Sequence, residues 1–148
     1  MSEEEHYRKL EYMYLSARCN RYYEPSIHIR KGEAEVRIPV TPKLHHAAHA
    51  AHGAVYFKVA DDAAFFATNS LVEETFVLTT NLNLYLTKPI IEGVIIGRGK
   101  VTFASKNLFH AESLIVDGEG KELGRATASF VRGRQPLGPE VGYALPGA

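Results

Sequence analysis

The run from His52 to Ser70, H-G-A-V-Y-F-K-V-A-D-D-A-A-F-F-A-T-N-S, constrains this chain more than any other segment. Its composition predicts a helix that is apolar almost all round, and such a helix has no face to give to water. A sheet therefore has to curl around it. The flanking sequence supplies strands: residues 26–40 read as a hairpin turning at Lys31-Gly32, with Ala34, Val36, Ile38 and Val40 alternating against polar neighbours. After the helix come four strand-like runs, at residues 75–86, 94–103, 108–117 and 122–131, joined by turns too short for crossover helices. The expected class is α+β, one long central helix wrapped by a curled antiparallel sheet, with the four runs forming a meander.

A chain of 148 residues suits a single domain, taken here as residues 1–148. Residues 1–20 hold an N-terminal helix begun by Ser2 and three glutamates. Residues 133–148, with three prolines and four glycines, read as a loose tail. Lys+Arg and Asp+Glu balance at 17 each, so nothing electrostatic draws the chain to nucleic acid or an anionic membrane. The single cysteine, Cys19, suits a reducing compartment. The acidic start is unlike a signal peptide, and no segment approaches the roughly 20 apolar residues of a membrane span. A cytoplasmic protein without nucleic-acid or membrane partners is expected.

Two aspartates interrupt the helix. Asp62 lies one turn from Lys58 and has a solvated ion pair as an adequate explanation. Asp61 projects among Phe57, Ala54 and Thr68, where a carboxylate loses solvation unless something uses it. Gly53 stands at the helix start, where N–H groups lack intrahelical partners and the dipole favours developing negative charge. Gly53 and Asp61 are separated by about 12 Å of helix. A reacting carbonyl must lie about 3 Å from both its donor and its nucleophile or base, so one straight helix cannot serve one substrate with both. If both act, Gly53 of one subunit works with Asp61 of another, which predicts a dimer. On the first strand after the helix, alternation puts Val77, Thr79, Asn81, Asn83 and Tyr85 on one face, with Thr80 breaking an otherwise apolar opposite face. Thr79 is a candidate to orient water or substrate. His45, His46, His49 and His52 are dense, but no H-E-x-x-H pattern accompanies them, and no metal site is expected.

These residues resemble the hotdog-fold acyl-CoA thioesterases of the phenylacetate-degradation type, within the 4-hydroxybenzoyl-CoA thioesterase superfamily. The resemblance runs through His52-Gly53-Ala54, Tyr56-Phe57 and Val59-Ala60-Asp61, on through Asn69-Ser70 and residues 83–89, to residues 124–130. It implies a hotdog fold and hydrolysis of an acyl-CoA thioester, with coenzyme A as part of the substrate and no further cofactor. Asp61 is then the general base or nucleophile, the Gly53 N–H polarises the carbonyl, and Thr79 places water. His46 stands where the family often has an asparagine contacting the thioester, and an imidazole also donates a hydrogen bond. His52, Ala54, Asn69 and Phe65 are the expected substrate contacts. Phe66 and Tyr56 join Phe65 as candidates to line an acyl pocket, core packing being their default role. Lys88, Arg98, Lys106, Arg132 and Arg134 are candidates for the coenzyme A phosphates. Two subunits supply each site, and a tetramer of two dimers follows from the resemblance. Three readings compete with hydrolysis: a hydratase or dehydratase using His52 and Asp61, a non-catalytic acyl-CoA-binding protein, and a structural protein in which Asp61 is merely satisfied.

Overall fold

The computed structural model describes all residues, Met1–Ala148. Helix α1, Glu3–Ser16, is capped by Ser2, whose hydroxyl accepts the Glu5 N–H at 3.1 Å. A short helix α2, Asn20–Tyr23, leads to the hairpin of β1, Ser26–Arg30, and β2, Glu33–Val40. Helix α3, Gly53–Asn69, follows, then β3, Thr75–Leu86; β4, Gly93–Ala104; β5, Leu108–Asp117; and β6, Glu122–Pro136. The six strands form one antiparallel sheet in the order β1-β2-β4-β5-β6-β3. It curls around α3 in the hotdog arrangement, and Val59, Ala60, Ala63 and Ala67 of that helix are fully buried. No helix is long and apolar enough to cross a membrane.

The meander is shorter than expected. β4, β5 and β6 follow one another, but β3 does not pair with β4; it pairs with β6 and closes the far side of the sheet. Residues 87–92 carry the chain across the start of α3 instead of turning back. They are pinned there: Ala51 N–H donates to Ile90 O at 2.9 Å, the Tyr56 hydroxyl to Lys88 O at 2.7 Å, and Thr87 N–H to Leu123 O at 2.9 Å. A second flank of an all-round apolar helix needs cover, and only a strand at the other edge provides it.

The tail is not loose. β6 runs on to Pro136, opposite Thr75, and Leu137 N–H donates to Glu74 O at 3.0 Å. Beyond a 3-10 turn at Pro139–Val141, Tyr143 is buried and its hydroxyl meets His6 Nδ1 at 2.7 Å. The other ring nitrogen, Nε2, lies 2.9 Å from the Asn69 carbonyl, so it carries the proton and Nδ1 accepts from the tyrosine. Three apolar side chains, Leu137, Val141 and Tyr143, pack the tail on the core despite its glycines and prolines.

Helix and sheet meet most closely at Gly97 and Gly99 of β4. A Cβ on Gly97 would overlap the Val59 carbonyl, and one on Gly99 the backbone of Ala63 and Ala64. Neither obstacle is a side chain that can swing away. Gly99→Ala is expected to cost at least the roughly 1–3 kcal/mol typical of core overpacking, read as a lower urea midpoint at an unchanged m-value.

Candidate active site

The placement of Asp61 begins with an irregularity in β3. Thr79 pairs with Phe130 and Asn81 with Ser129, leaving Thr80 as the extra residue of a β-bulge. Before the bulge, Val77 and Thr79 face α3; after it, Leu82 and Leu84 do, while Asn81 and Asn83 face the outer surface with His110, Thr127 and Ser129. Thr79 therefore does not share a face with the two asparagines, as strict alternation implies. The break at Thr80 resets the register, turning Thr79 inward while Leu82 and Leu84 stay packed on the core.

The Thr79 hydroxyl donates to Asp61 Oδ1 at 2.9 Å. The second oxygen, Oδ2, makes no hydrogen bond within the chain, and the carboxyl lines a cleft of about 660 Å³. Burial pushes the Asp61 carboxyl above the usual aspartate range, and the neighbouring charge of Asp62 adds to the shift; the Thr79 bond and Lys58 oppose it. Asp62 has the opposite environment. It holds Lys58 Nζ at 2.9 Å and accepts the Tyr14 hydroxyl at 2.6 Å. This pair is not a solvated line, because α1 covers it: Lys58 and Asp62 are only 14% and 16% exposed. The ammonium also lies over the Tyr14 and Tyr23 rings, 5.5 and 4.9 Å from their centroids. Burial and the Asp62 charge push the Tyr14 phenol far up, so it stays protonated and donates. Both contacts fall on Asp62 Oδ2, so of two adjacent carboxylates one is neutralised by a bound cation and the other has a single hydroxyl as its partner.

Phe65, one turn beyond Asp61, lines the same cleft with Phe66, Phe76 and Val77. Tyr56, by contrast, is core, with its hydroxyl spent on Lys88 O. The cleft's outer wall comes from the termini: Met13, Tyr14 and Asn20 on one side, Glu140 and Val141 on the other. Sequence reasoning missed these wall residues. The spacing of Leu10, Met13 and Tyr14 marks a buried face of α1, but nothing in it tells which part of the core that face covers.

The other expected residues sit at the far end of α3. His52 is the N-cap, its Nδ1 accepting the Ala54 N–H at 2.9 Å, so that nitrogen carries no proton. Gly53 is the first helical residue, and its N–H has no acceptor within the chain. Ala54 is exposed on the first turn. His46 lies in the preceding loop with its Nδ1 accepting from Ala48 N–H at 3.0 Å. One chain thus brings together Asp61, Thr79 and Phe65, and separately His46, His52, Gly53 and Ala54. Asn69 belongs to neither group. It is fully buried; its amide donates to Val72 O and Thr75 O, and its Oδ1 accepts the Val77 N–H. With every group engaged in turning the chain from α3 into β3, it offers nothing to a substrate. The loop histidines do not converge: His45 Nε2, for example, lies 2.7 Å from Ile91 O. Among the basic candidates, Arg98 pairs with Glu35 and Arg132 with Glu74, each at 3.1 Å, while Lys88, Lys106 and Arg134 make no ion pair.

A raised carboxyl pKa has a stability consequence. The protonated form of Asp61 is favoured by the fold, so its contribution is full below the pH where an unfolded aspartate titrates. It is lost as pH rises through the higher folded value. Asp61→Asn, which never ionises, is therefore expected to melt at a higher temperature than the native protein at neutral pH. The difference should shrink as pH falls below the carboxylate range, as followed by thermal melts across pH.

The residues 49–123 match the thioesterase superfamily, slightly more than half of the chain. No curated protein matches the chain by sequence. Among solved structures, the chain is similar to the E. coli PaaI protein from the phenylacetic acid degradation operon, with a TM-score of 0.82 at 18% identity, covering 90% of this chain and 97% of that one. It is similar to a mutant of the phenylacetic acid degradation protein PaaI from Thermus thermophilus, with a TM-score of 0.71 at 19% identity over 78% and 99% of the two chains. A thioesterase from Haemophilus influenzae gives a TM-score of 0.74 at 15% identity over 81% and 85%. At these identities the structural likenesses establish the hotdog fold, and the match over residues 49–123 establishes the family: the chain belongs to the thioesterase superfamily.

Proposed function

We propose that the protein hydrolyses an acyl-CoA thioester to the free acid and coenzyme A, in sites built from two copies of the chain. The observation that carries this reading is the pair of half-sites: a half-buried carboxylate with a free oxygen at the head of an apolar cleft, and a helix-start N–H without an acceptor. As a general base, Asp61 takes a proton from water as that water's oxygen bonds to the thioester carbon. Thr79 keeps the carboxylate aimed. The oxyanion is stabilised by the Gly53 N–H of the second copy, with His46 of that copy as a further donor. Collapse breaks the C–S bond, and the thiolate receives the proton from Asp61. In the alternative form of the mechanism Asp61 attacks directly and water then cleaves the acyl-enzyme.

Three features support the second copy. β3 is an edge strand of 12 residues without a single charge or proline, and after the bulge at Thr80 it runs regularly from Asn81 to Leu86. Leu78, Tyr85 and Leu86 on it are 50%, 67% and 51% exposed. Two antiparallel α3 helices related by a two-fold axis put Gly53 opposite Asp61 when the axis passes midway between them, at Phe57, which is itself 44% exposed. His52 and Ala54 then flank the thioester, Phe65 meets the acyl group, and the unpaired Lys88, Lys106 and Arg134 are the basic groups left for the coenzyme A phosphates. Further pairing of dimers gives the tetramer.

Thiol release from a panel of acyl-CoAs tests the chemistry, and variant mixing tests the sharing. Asp61→Asn is expected to lower turnover by orders of magnitude. Gly53→Pro deletes the N–H at the first helical position, where proline is tolerated; His52 already has the extended backbone a proline requires before it (ψ 146°). Each variant alone should be nearly inactive. Co-refolded, they form mixed dimers holding one intact site, and activity should return toward a fraction of the native level. No recovery in mixed dimers verified by mass would place both groups in one chain's site or in none.

Thr79→Ala removes a bond that stabilises the ionised carboxylate, so Asp61 should titrate higher still. The acidic limb of the rate–pH profile is expected to move to higher pH, and Thr79→Ser to restore it. An unmoved limb would assign that limb to another group.

A further inference from the structure

We propose that the cleft beyond Asp61 takes an unsubstituted hydrocarbon acyl group, alkyl or aryl, and that Val141 of the C-terminal tail and Met13 of α1 set its length. This rests on the hydrolytic reading for the placement of the carbonyl at Asp61, and on the cleft itself for the rest.

The cleft runs from Asp61 toward the C-terminal end of α3. Its inner wall is aromatic: Phe65 and Phe66 from the helix and Phe76 from β3, with the Phe65 ring 5.0 and 4.9 Å from the other two ring centroids. Apart from the two aspartates and the charges at the rim, the polar side chains that line it are largely engaged within the chain. Tyr14 and Lys58 are both bonded to Asp62. The Asn20 amide donates to Tyr14 O at 2.6 Å, and the Ser16 hydroxyl to Tyr12 O at 2.7 Å. Beyond Asp61 and Asp62, a hydroxyl on the acyl group would give up its water to lie among aromatic and aliphatic side chains, or break one of these bonds. At the rim, the exposed Arg18 and Glu140 bring opposite charges, so the mouth has no net attraction for a terminal carboxylate. A hydrocarbon meets none of these costs.

The end of the cleft is set by the termini. Met13 is buried on α1 and Val141 half-buried on the tail. The tail is fastened rather than free: Tyr143, two residues past Val141, is bonded to His6, and His6 to the carbonyl of Asn69 at the end of α3. His6 is 1% exposed, so this clasp works without competition from water. Gly142, between Val141 and Tyr143, has a φ of +84°, a left-handed turn that sends the two neighbours in the directions each needs. Val141 is therefore a fixed stop whose volume can be changed without touching Asp61, Thr79 or Gly53.

The test is a series of straight-chain acyl-CoAs from acetyl to dodecanoyl, with ω-hydroxy and ω-carboxy counterparts, on native protein, Val141→Ala, Val141→Phe and Tyr143→Phe. Graded S-alkyl-CoA thioethers, which cannot be hydrolysed, are titrated in parallel. The kcat/KM optimum and the tightest-binding thioether should both move to shorter chains in Val141→Phe and to longer ones in Val141→Ala. Tyr143→Phe should blunt the length discrimination. The ω-hydroxy substrates should fall about 10- to 100-fold below their parents. Length profiles that coincide in native and Val141 variants, or an ω-hydroxy or ω-carboxy substrate preferred over its parent, would overturn the proposal. Absence of thiol release with length-dependent thioether binding that shifts in the Val141 variants would remove the hydrolytic reading and leave the pocket standing. Absence of thioether binding would remove the pocket. Met13→Ala, a buried position, serves as a second probe where melts show it folded.

Discussion

The approach of α3 to β4 is the constraint on which the rest depends. With glycine at positions 97 and 99, the helix backbone lies directly on the sheet, and Val59 and Ala63 touch strand rather than side chain. Ser113 reinforces the contact from β5 by donating its hydroxyl to the Ala60 carbonyl at 2.7 Å. Small residues along this seam, Ala60, Ala63, Ala64 and Ala67, let the sheet wrap close. Side chains that do not face the seam are left to determine what the helix does. Asp61 and Asp62 lie on the flank away from β4, one turn after Lys58, and their environments follow from what the sheet leaves uncovered.

On that uncovered flank, two carboxylates next to each other in sequence have separate roles. Asp62 receives a cation from one turn earlier on its own helix and a phenol from a helix that the chain adds before the sheet begins; its charge is neutralised locally. Asp61 receives one hydroxyl from a strand after the helix and is otherwise desolvated. Had Lys58 paired with Asp61, the carboxylate would be a weaker base and a structural ion pair. Lys58 and Tyr14 thus matter to Asp61 by what they withhold from it: they occupy Asp62 and leave the neighbouring carboxyl raised, half-buried and free on one side.

Much of this is legible in the sequence. The apolar helix, the hairpin and the strand runs carry strong periodicity, and Asp61 stands out as an acid with no local partner. Thr80 is visible as a break in alternation, yet a single misfit residue does not say whether it is exposed or bulged; only the pairing with β6 shows the inserted residue that turns Thr79 toward the helix. Strand pairing itself is not legible, because alternation specifies a face and not a neighbour, and so β3 reads as part of a meander it does not join. The tail reads as loose because glycine and proline counts describe backbone freedom, whereas Leu137, Val141 and Tyr143 are fixed by partners more than a hundred residues earlier or across the sheet. Asn69 matches a motif but serves the backbone around it: a buried amide saturated by three main-chain groups is a corner brace.

The length of α3 and the open edge of β3 are independent observations, one from helix geometry and one from hydrogen-bond accounting. Eight residues of helix keep Gly53 and Asp61 from meeting within a chain. Twelve residues of uncharged edge strand leave unpaired donors and acceptors that a monomer would have to hydrate beside exposed leucine and tyrosine. The dimer proposed above answers both with a single two-fold operation near Phe57, which would pair the edge, bury the apolar side chains and carry each orphan N–H to the other chain's carboxylate. A heterologous contact elsewhere on the surface would cover apolar area without uniting the half-sites, and a site assembled within one chain would leave the edge unexplained. That one operation meets both demands is the physical reason the proposed hydrolysis and the proposed self-association stand or fall together.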